Sequence, residues 1–71
     1  MYYSTTKHHS IIGYWEPLTA ATLIGAKRQA WAANQGDLPG AVVHVGERQR
    51  ADLPVESVAS RDIAGGSKWR G

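Results

Sequence analysis

Cysteine is absent from the 71 residues of this chain, which excludes disulfides and thiolate metal sites as sources of stability. Also missing is any run near the roughly 18 to 20 apolar residues that a membrane-spanning helix needs. The first residues do not form a secretory signal peptide. A chain this short has no room for a second core. We therefore expect residues 1–71 to form one soluble, cytoplasmic domain.

Residue patterns that support catalysis or cofactor binding are missing as well. The carboxylates are scattered without a pair, no serine lies in a nucleophile elbow, and no glycine-rich stretch continues as a phosphate-binding loop. His8 and His9 are neighbours, which point to opposite sides of a strand. His44 belongs to another strand, so no metal-ligand spacing results. The sequence predicts a protein that is not an enzyme and that holds no cofactor or metal.

The excess of positive charge is small. Eight Lys and Arg residues stand against six Asp and Glu residues, for a net charge of +2 and a pI near 9.3. Such a balance is compatible with a polyanion or with an acidic partner surface, but it identifies neither. It does argue against a protein that mimics DNA, which should be strongly acidic.

The residues divide into short β-like segments around one helix. Tyrosine, threonine and β-branched residues favour strands, which we place at residues 1–7, 11–16, 41–47 and 55–62, with a short edge strand at 67–70. The segment at 41–47 is apolar on both faces apart from His44, which predicts a central position. The order β-β-α-β-β predicts an α+β fold, in which one helix packs across an antiparallel sheet of four to five strands.

The helix is predicted over residues 18–35. Thr19 or Thr22 can serve as its N-cap, and Gly36 can adopt the left-handed conformation that ends a helix. Apolar residues at three- and four-residue spacing define a buried stripe, and these are Leu23, Ala26, Ala30 and Ala33. Their small side chains predict that the helix lies close against the sheet.

Basic residues on the helix are candidate contacts for a partner. Lys27 and Arg28 project away from the centre of the buried stripe, and Trp31 lies one turn beyond Lys27. A tryptophan beside two cations is a reasonable anchor for binding protein or nucleic acid. The other interpretation is that Trp31 packs on the sheet margin while Lys27 and Arg28 are merely solvated.

A second basic group contains Arg61, Lys68 and Arg70. Because adjacent strand residues point to opposite faces, Lys68 and Arg70 share one face, and Trp69 is expected to point into the core. The two cations can extend a positive surface. However, exposed charges also protect an edge strand from aggregation, and this second interpretation is preferred.

Several short motifs follow one another in a recognisable order: residues 26–28 (Ala-Lys-Arg), Ala30, Gln35, Gly40 before an apolar strand, residues 58–62, and a Gly-x-Lys-Trp sequence at 66–69. In this order they resemble small phage-encoded anti-CRISPR proteins that bind the Cascade surveillance complex of type I systems. The resemblance implies a helix packed on a curved antiparallel sheet. It also implies binding to the backbone subunits of Cascade in the host bacterial cytoplasm, through Lys27, Arg28 and Gln35.

A mechanism of this kind is physically coherent. The channel for the heteroduplex is positively charged, but the outer faces of its subunits carry acidic and polar side chains that cations can engage. A basic plug would then block target DNA sterically. We expect the partner-binding residues to be Lys27, Arg28, Trp31, Gln35, Lys68 and Arg70, with weak binding of duplex DNA as a side effect. No membrane and no small-molecule substrate is expected.

Two other functions fit the same residues. A small nucleic-acid-binding or regulatory domain would place the helix in a groove or against phosphates. A phage accessory or structural protein would use an exposed edge strand to associate with itself.

Overall fold

The order of elements agrees with the prediction from sequence. A computed structural model of the chain describes residues 1–8, 11–12, 15–34, 40–64 and 67–71. The elements are β1 (Tyr2–His8), β2 (Ile11–Ile12), β3 (Glu16–Pro17), α1 (Leu23–Ala33), β4 (Val42–Glu47) and β5 (Glu56–Asp62). The predicted α+β fold is therefore confirmed: one antiparallel sheet carries one helix.

The sheet has the strand order β2-β1-β4-β5, and β3 also pairs with β1. All pairings are antiparallel. Strand β4 lies between β1 and β5, as its apolar composition predicted. Within the second strand predicted at 11–16, the described residues form β2 and β3, which pair with different parts of β1; residues 13–14 lie outside the described residues. Pro17 in β3 fits an edge position, because proline lacks the N–H that a central strand must donate.

Helix α1 begins at Leu23, later than residue 18 where the predicted helix begins, but its N-cap is one of the two residues predicted for that position. Thr22 is the N-cap, and its side-chain oxygen accepts a hydrogen bond from the Gly25 N–H at 3.1 Å. The residues before it are tied to the helix by Gln29, whose Oε1 accepts the backbone N–H groups of Thr19 and Ala20 at 3.1 Å each. Thr22 itself has an extended backbone, with φ −124° and ψ 157°, so the helical conformation starts only after it.

The C-terminal end of α1 is at Asn34, whose backbone N–H donates to the Trp31 carbonyl at 3.2 Å. The predicted stop at Gly36 and the candidate residue Gln35 lie outside the described residues. With 11 residues, α1 is too short to cross a membrane, and no other helix among the described residues qualifies.

The core lies between α1 and the facing side of the sheet. Ala26 and Ala30 are fully buried, as predicted, and pack with side chains of the sheet and of the segment before the helix: Val43, Val45, Ala59 and Leu18. Leu23 is partly buried against this core. Ala33 is exposed, which the predicted stripe missed. In the last turn the half-buried position belongs to Asn34, whose Nδ2 donates to the Ala30 carbonyl at 2.7 Å.

The segment after β5 returns along the sheet edge. Ser60 and Arg70 exchange two backbone hydrogen bonds, of 2.9 and 2.8 Å, and form an isolated bridge. The predicted edge strand at 67–70 is thus reduced to a single paired residue. This bridge is nevertheless enough to bring Trp69 onto the core, where it is partly buried as expected.

Candidate functional site

Two cations and two tryptophans meet where the flank of α1 adjoins β5 and the returning segment. We call Lys27, Trp31, Arg61 and Trp69 the aromatic–cationic cluster. The rings of Trp31 and Trp69 are edge-to-face, with centroids 6.3 Å apart. The Arg61 guanidinium carbon lies 3.7 Å from the Trp31 ring centroid, and Lys27 Nζ lies 5.9 Å from the Trp69 centroid. Each of the four residues is half-exposed, so the cluster contributes both to packing and to the surface.

The positions of these side chains follow from helical and strand periodicity. Lys27 and Trp31 are four residues apart and therefore share one side of α1. Arg61 lies two residues after Ala59 and pairs with Val43, so it shares the face of β5 that packs against the helix. Trp69 precedes Arg70 and turns to this same face. The long side chains thus converge from three separate segments.

The Arg61 side chain is held by a hydrogen bond in addition to its stacking on Trp31. Its Nε donates to Ser67 Oγ at 3.3 Å, and Ser67 Oγ in turn donates to the Asp62 carbonyl. Guanidinium has five N–H donors, and the other four have no hydrogen-bond partner among the residues that the structure describes. Trp31 covers one face of the guanidinium, which leaves its edge available for an anion.

Lys27 is bound within the chain. Its Nζ donates to the Gly71 carbonyl at 2.8 Å, which ties the returning segment to the helix. Trp31 packs against the core margin, in agreement with the second interpretation of that residue, yet it remains half-exposed. Both residues therefore have a structural contact in addition to any role in binding.

The remaining candidates are distributed over more than one surface. Arg28 is exposed beside the cluster and has no hydrogen bond or ion pair within the described ranges. Lys68 and Arg70 are also exposed, and strand alternation directs them away from the side that Trp69 occupies. Arg70 Nη2 lies 3.3 Å from Asp62 Oδ1, so its charge is partly compensated. The structure thus brings Lys27 and Trp31 together, with Arg28 beside them, and separates Arg70 from them.

Sequence reasoning did not select Arg61 as a binding residue, although it was included in the second basic group. The position of Arg61 in the predicted strand could have indicated this role. Arg61 lies two residues after the apolar Ala59, so both side chains point to the same face of the strand, and a long cation at the end of that face can reach the flank of the helix.

On the opposite side of the sheet, His44 Nδ1 lies 2.9 Å from Ser57 Oγ. Within the described residues, no group of three or more His, Asp or Glu side chains is placed to hold a metal ion.

No protein family matches the sequence, and neither a curated protein nor a solved structure is found to be similar to the chain.

Proposed function

We propose that this protein acts by binding rather than by catalysis, and that the aromatic–cationic cluster with the adjacent Arg28 recognises acidic side chains on a partner protein. As the specific partner we propose a type I CRISPR effector, bound at the backbone subunits of Cascade so that target DNA is excluded. The recognition step is supported by the Arg61 guanidinium stacked on Trp31. The choice of partner is supported by the resemblance to anti-CRISPR proteins alone.

A stacked arginine is well suited to bind carboxylates. Its planar fork matches the two oxygens of a carboxylate, and the hydrogen bonds that it donates to an anion are stronger than neutral ones. The Trp31 ring and Ser67 already hold the Arg61 side chain in place. Less side-chain freedom is therefore lost on binding than for a solvated lysine or arginine.

The distribution of charge favours a protein partner over duplex DNA. Proteins that bind DNA through its backbone commonly make about 6 to 10 phosphate contacts. On the cluster side of this molecule, the structure describes three cations, Lys27, Arg28 and Arg61, and Lys27 already donates to a carbonyl. Three cations are enough for a few carboxylates, but they provide a weak counter-charge for a duplex.

The test is binding of the purified protein to an immobilised type I effector complex. Arg61→Gln and Arg28→Glu are compared with the control Arg50→Gln, which removes one positive charge from an exposed ion pair with Asp52. Hydrogen bonds to charged groups contribute about 1.5–3 kcal/mol, so we expect Arg61→Gln to weaken binding about tenfold or more. The control should bind as the wild type does. Thermal denaturation verifies that each variant is folded.

A second variant separates shape from charge. Arg61→Lys keeps the positive charge but loses the planar fork, so we expect it to bind nearly as weakly as Arg61→Gln. The proposal is wrong if both Arg61→Gln and Arg28→Glu bind and inhibit like the wild type. A wild-type protein that binds no type I effector but shifts duplex DNA, with an affinity that falls steeply as salt is added, is instead a nucleic-acid-binding domain.

A further inference from the structure

The far end of the sheet has the opposite charge. Tyr2, Glu47 and Glu56 are directly opposite one another across β1, β4 and β5. Like charges in directly opposed positions repel, yet neither Glu47 nor Glu56 has an ion-pair partner among the residues that the structure describes. Two carboxylates are thus held side by side without an ion pair among the described residues, and the Met1 ammonium at this end of the sheet donates to the Arg48 carbonyl at 3.3 Å.

The charge of Glu47 acts on the third member of this row. The pKa of Tyr2 is raised above its ordinary value, first by burial of the hydroxyl, then by the negative charge of Glu47 and by the hydrogen bond between the two side chains. The carboxylate therefore interacts with the tyrosine, but a neutral hydroxyl does not compensate its charge.

A groove of about 180 Å³ opens beside these carboxylates. Its apolar wall comes from the loop after β4 and from β5 and consists of Leu53, Pro54 and Val58. Leu53 and Val58 are among the large apolar residues that remain exposed, at 39% and 38% of their surface. Since a water molecule takes up about 30 Å³ in the liquid, the volume corresponds to roughly six waters, which is room for one long side chain.

The basic residue on the wall does not neutralise the groove. Arg48 follows Glu47 and points to the other side of the sheet, where its Nε donates to the Tyr3 hydroxyl at 2.9 Å and its guanidinium carbon lies 4.9 Å from the Tyr3 ring centroid. The nearby Arg50 pairs with Asp52 at 3.2 Å. The cations of this loop are thus bonded elsewhere.

We infer that this acidic groove binds a lysine or arginine side chain presented by a partner protein. The aliphatic stem of such a side chain packs on Leu53 and Val58, while its charged end lies between the carboxylates of Glu47 and Glu56. Lysine and arginine combine an apolar stem with a cationic tip, which is the pattern of this groove. Arg61 lies five positions after Glu56 on β5, about 17 Å away at the usual rise of a strand. The acidic groove is therefore a separate site from the aromatic–cationic cluster and does not depend on the function proposed for it.

The test uses two capped peptides as probes, one of alternating Lys and Leu and one of alternating Glu and Leu, with binding followed by fluorescence anisotropy. We expect the lysine peptide to bind and the glutamate peptide not to bind. Partly exposed ion pairs contribute modestly, so Glu56→Gln should weaken binding about threefold. Leu53→Ser should weaken binding even at high salt, because it removes apolar contact.

Two control variants make the result specific. Glu16→Gln removes one exposed negative charge from β3, outside the groove lining, and Arg61→Gln alters the aromatic–cationic cluster; both should bind the lysine peptide like the wild type. The inference is overturned if Glu16→Gln weakens binding as much as Glu56→Gln, or if the two peptides bind equally. It is also overturned if sedimentation shows self-association that Glu56→Gln abolishes, since the occupant is then a second copy of this chain.

Discussion

Two side chains lie close over the backbone of Gly46 in strand β4, and we predict that Gly46→Ala destabilises the protein. A Cβ at this position would lie 2.5 Å from Val55 Cγ1 and 2.7 Å from Trp15 Cζ3. Carbon atoms pack at about 3.5–4.0 Å, so the new methyl group overlaps both neighbours by about 1 Å. Strand β4 cannot move away, because β1 and β5 are bonded to its two edges.

The size of the effect follows from two opposing terms. Forcing an extra methyl group into packed surroundings costs about 1–3 kcal/mol. Replacing glycine also lowers the entropy of the unfolded chain, which returns about 0.4–1 kcal/mol. We expect a net loss of about 1–2 kcal/mol, near the upper end because a tryptophan ring cannot bend. For a domain of this size, this corresponds to a fall in Tm of about 5–15 °C.

The assay is urea and thermal denaturation of four proteins: the wild type, Gly46→Ala, Val55→Ala and the double variant. Val55→Ala removes the nearer of the two obstructing atoms, so the double variant should be more stable than the sum of the single effects predicts. A coupling free energy of at least about 0.5 kcal/mol is expected for residues in contact. A Gly46→Ala variant as stable as the wild type, or an additive double variant, would refute the close approach of Trp15 and Val55 to this backbone.

Two further predictions concern the helix start and the tyrosine at the acidic groove. Thr22→Ala removes the oxygen that accepts the Gly25 N–H and should lower the free energy of unfolding by about 1 kcal/mol; Thr22→Ser should restore it, and equal stability of both variants in urea denaturation would contradict the cap. Because the pKa of Tyr2 is raised on folding, the folded state retains this proton longer than the unfolded chain. The stability that Tyr2 contributes is therefore complete below the ordinary tyrosine pKa of about 10 and is lost as the pH rises through the folded pKa. Ultraviolet titration of tyrosinate should show a shift towards lower pH in Glu47→Gln, and an unchanged titration would contradict the interaction.

The sequence predicted those elements that the local pattern of residue types is enough to identify. The segment at 41–47 is apolar on both faces and became the central strand β4, and Ala26 and Ala30 became the close contact of the helix with the sheet. The sequence named both Thr19 and Thr22 as N-cap candidates, since threonine caps equally well by residue type at either position, and only the folded chain shows that Thr22 is the cap. Gln29 bonds the N–H groups of Thr19 and Ala20 from ten and nine residues away, and helix periodicity contains no sign of it.

The candidate site was predictable only in part, for the same reason. The spacing of Lys27 and Trp31 places them on one side of a helix without further information. The position of Arg61 over Trp31 depends on the register between β5 and β4, and that of Trp69 depends on a single bridge between Ser60 and Arg70. Neither the β5–β4 register nor the bridge between Ser60 and Arg70 can be inferred from the local sequence pattern. The separation of Arg70 from the cluster likewise follows from strand alternation combined with that bridge.

The pairing of β1 has a consequence for how the chain folds as it is made. Strands β2 and β3 cover one edge of β1 from nearby in the chain, with pairs such as Lys7 with Ile12 and Tyr3 with Pro17. The other edge stays unpaired until β4 has been synthesised. Glu47 of β4 pairs with Tyr2 and is made 45 residues after it. At about 5–20 residues per second of synthesis, the N-terminal strand is exposed on that edge for roughly two to nine seconds. During this interval another nascent copy can add to it, because an open strand edge is a template for pairing. High expression, at which many copies are synthesised at the same time, is thus the condition under which this small protein is most prone to aggregate.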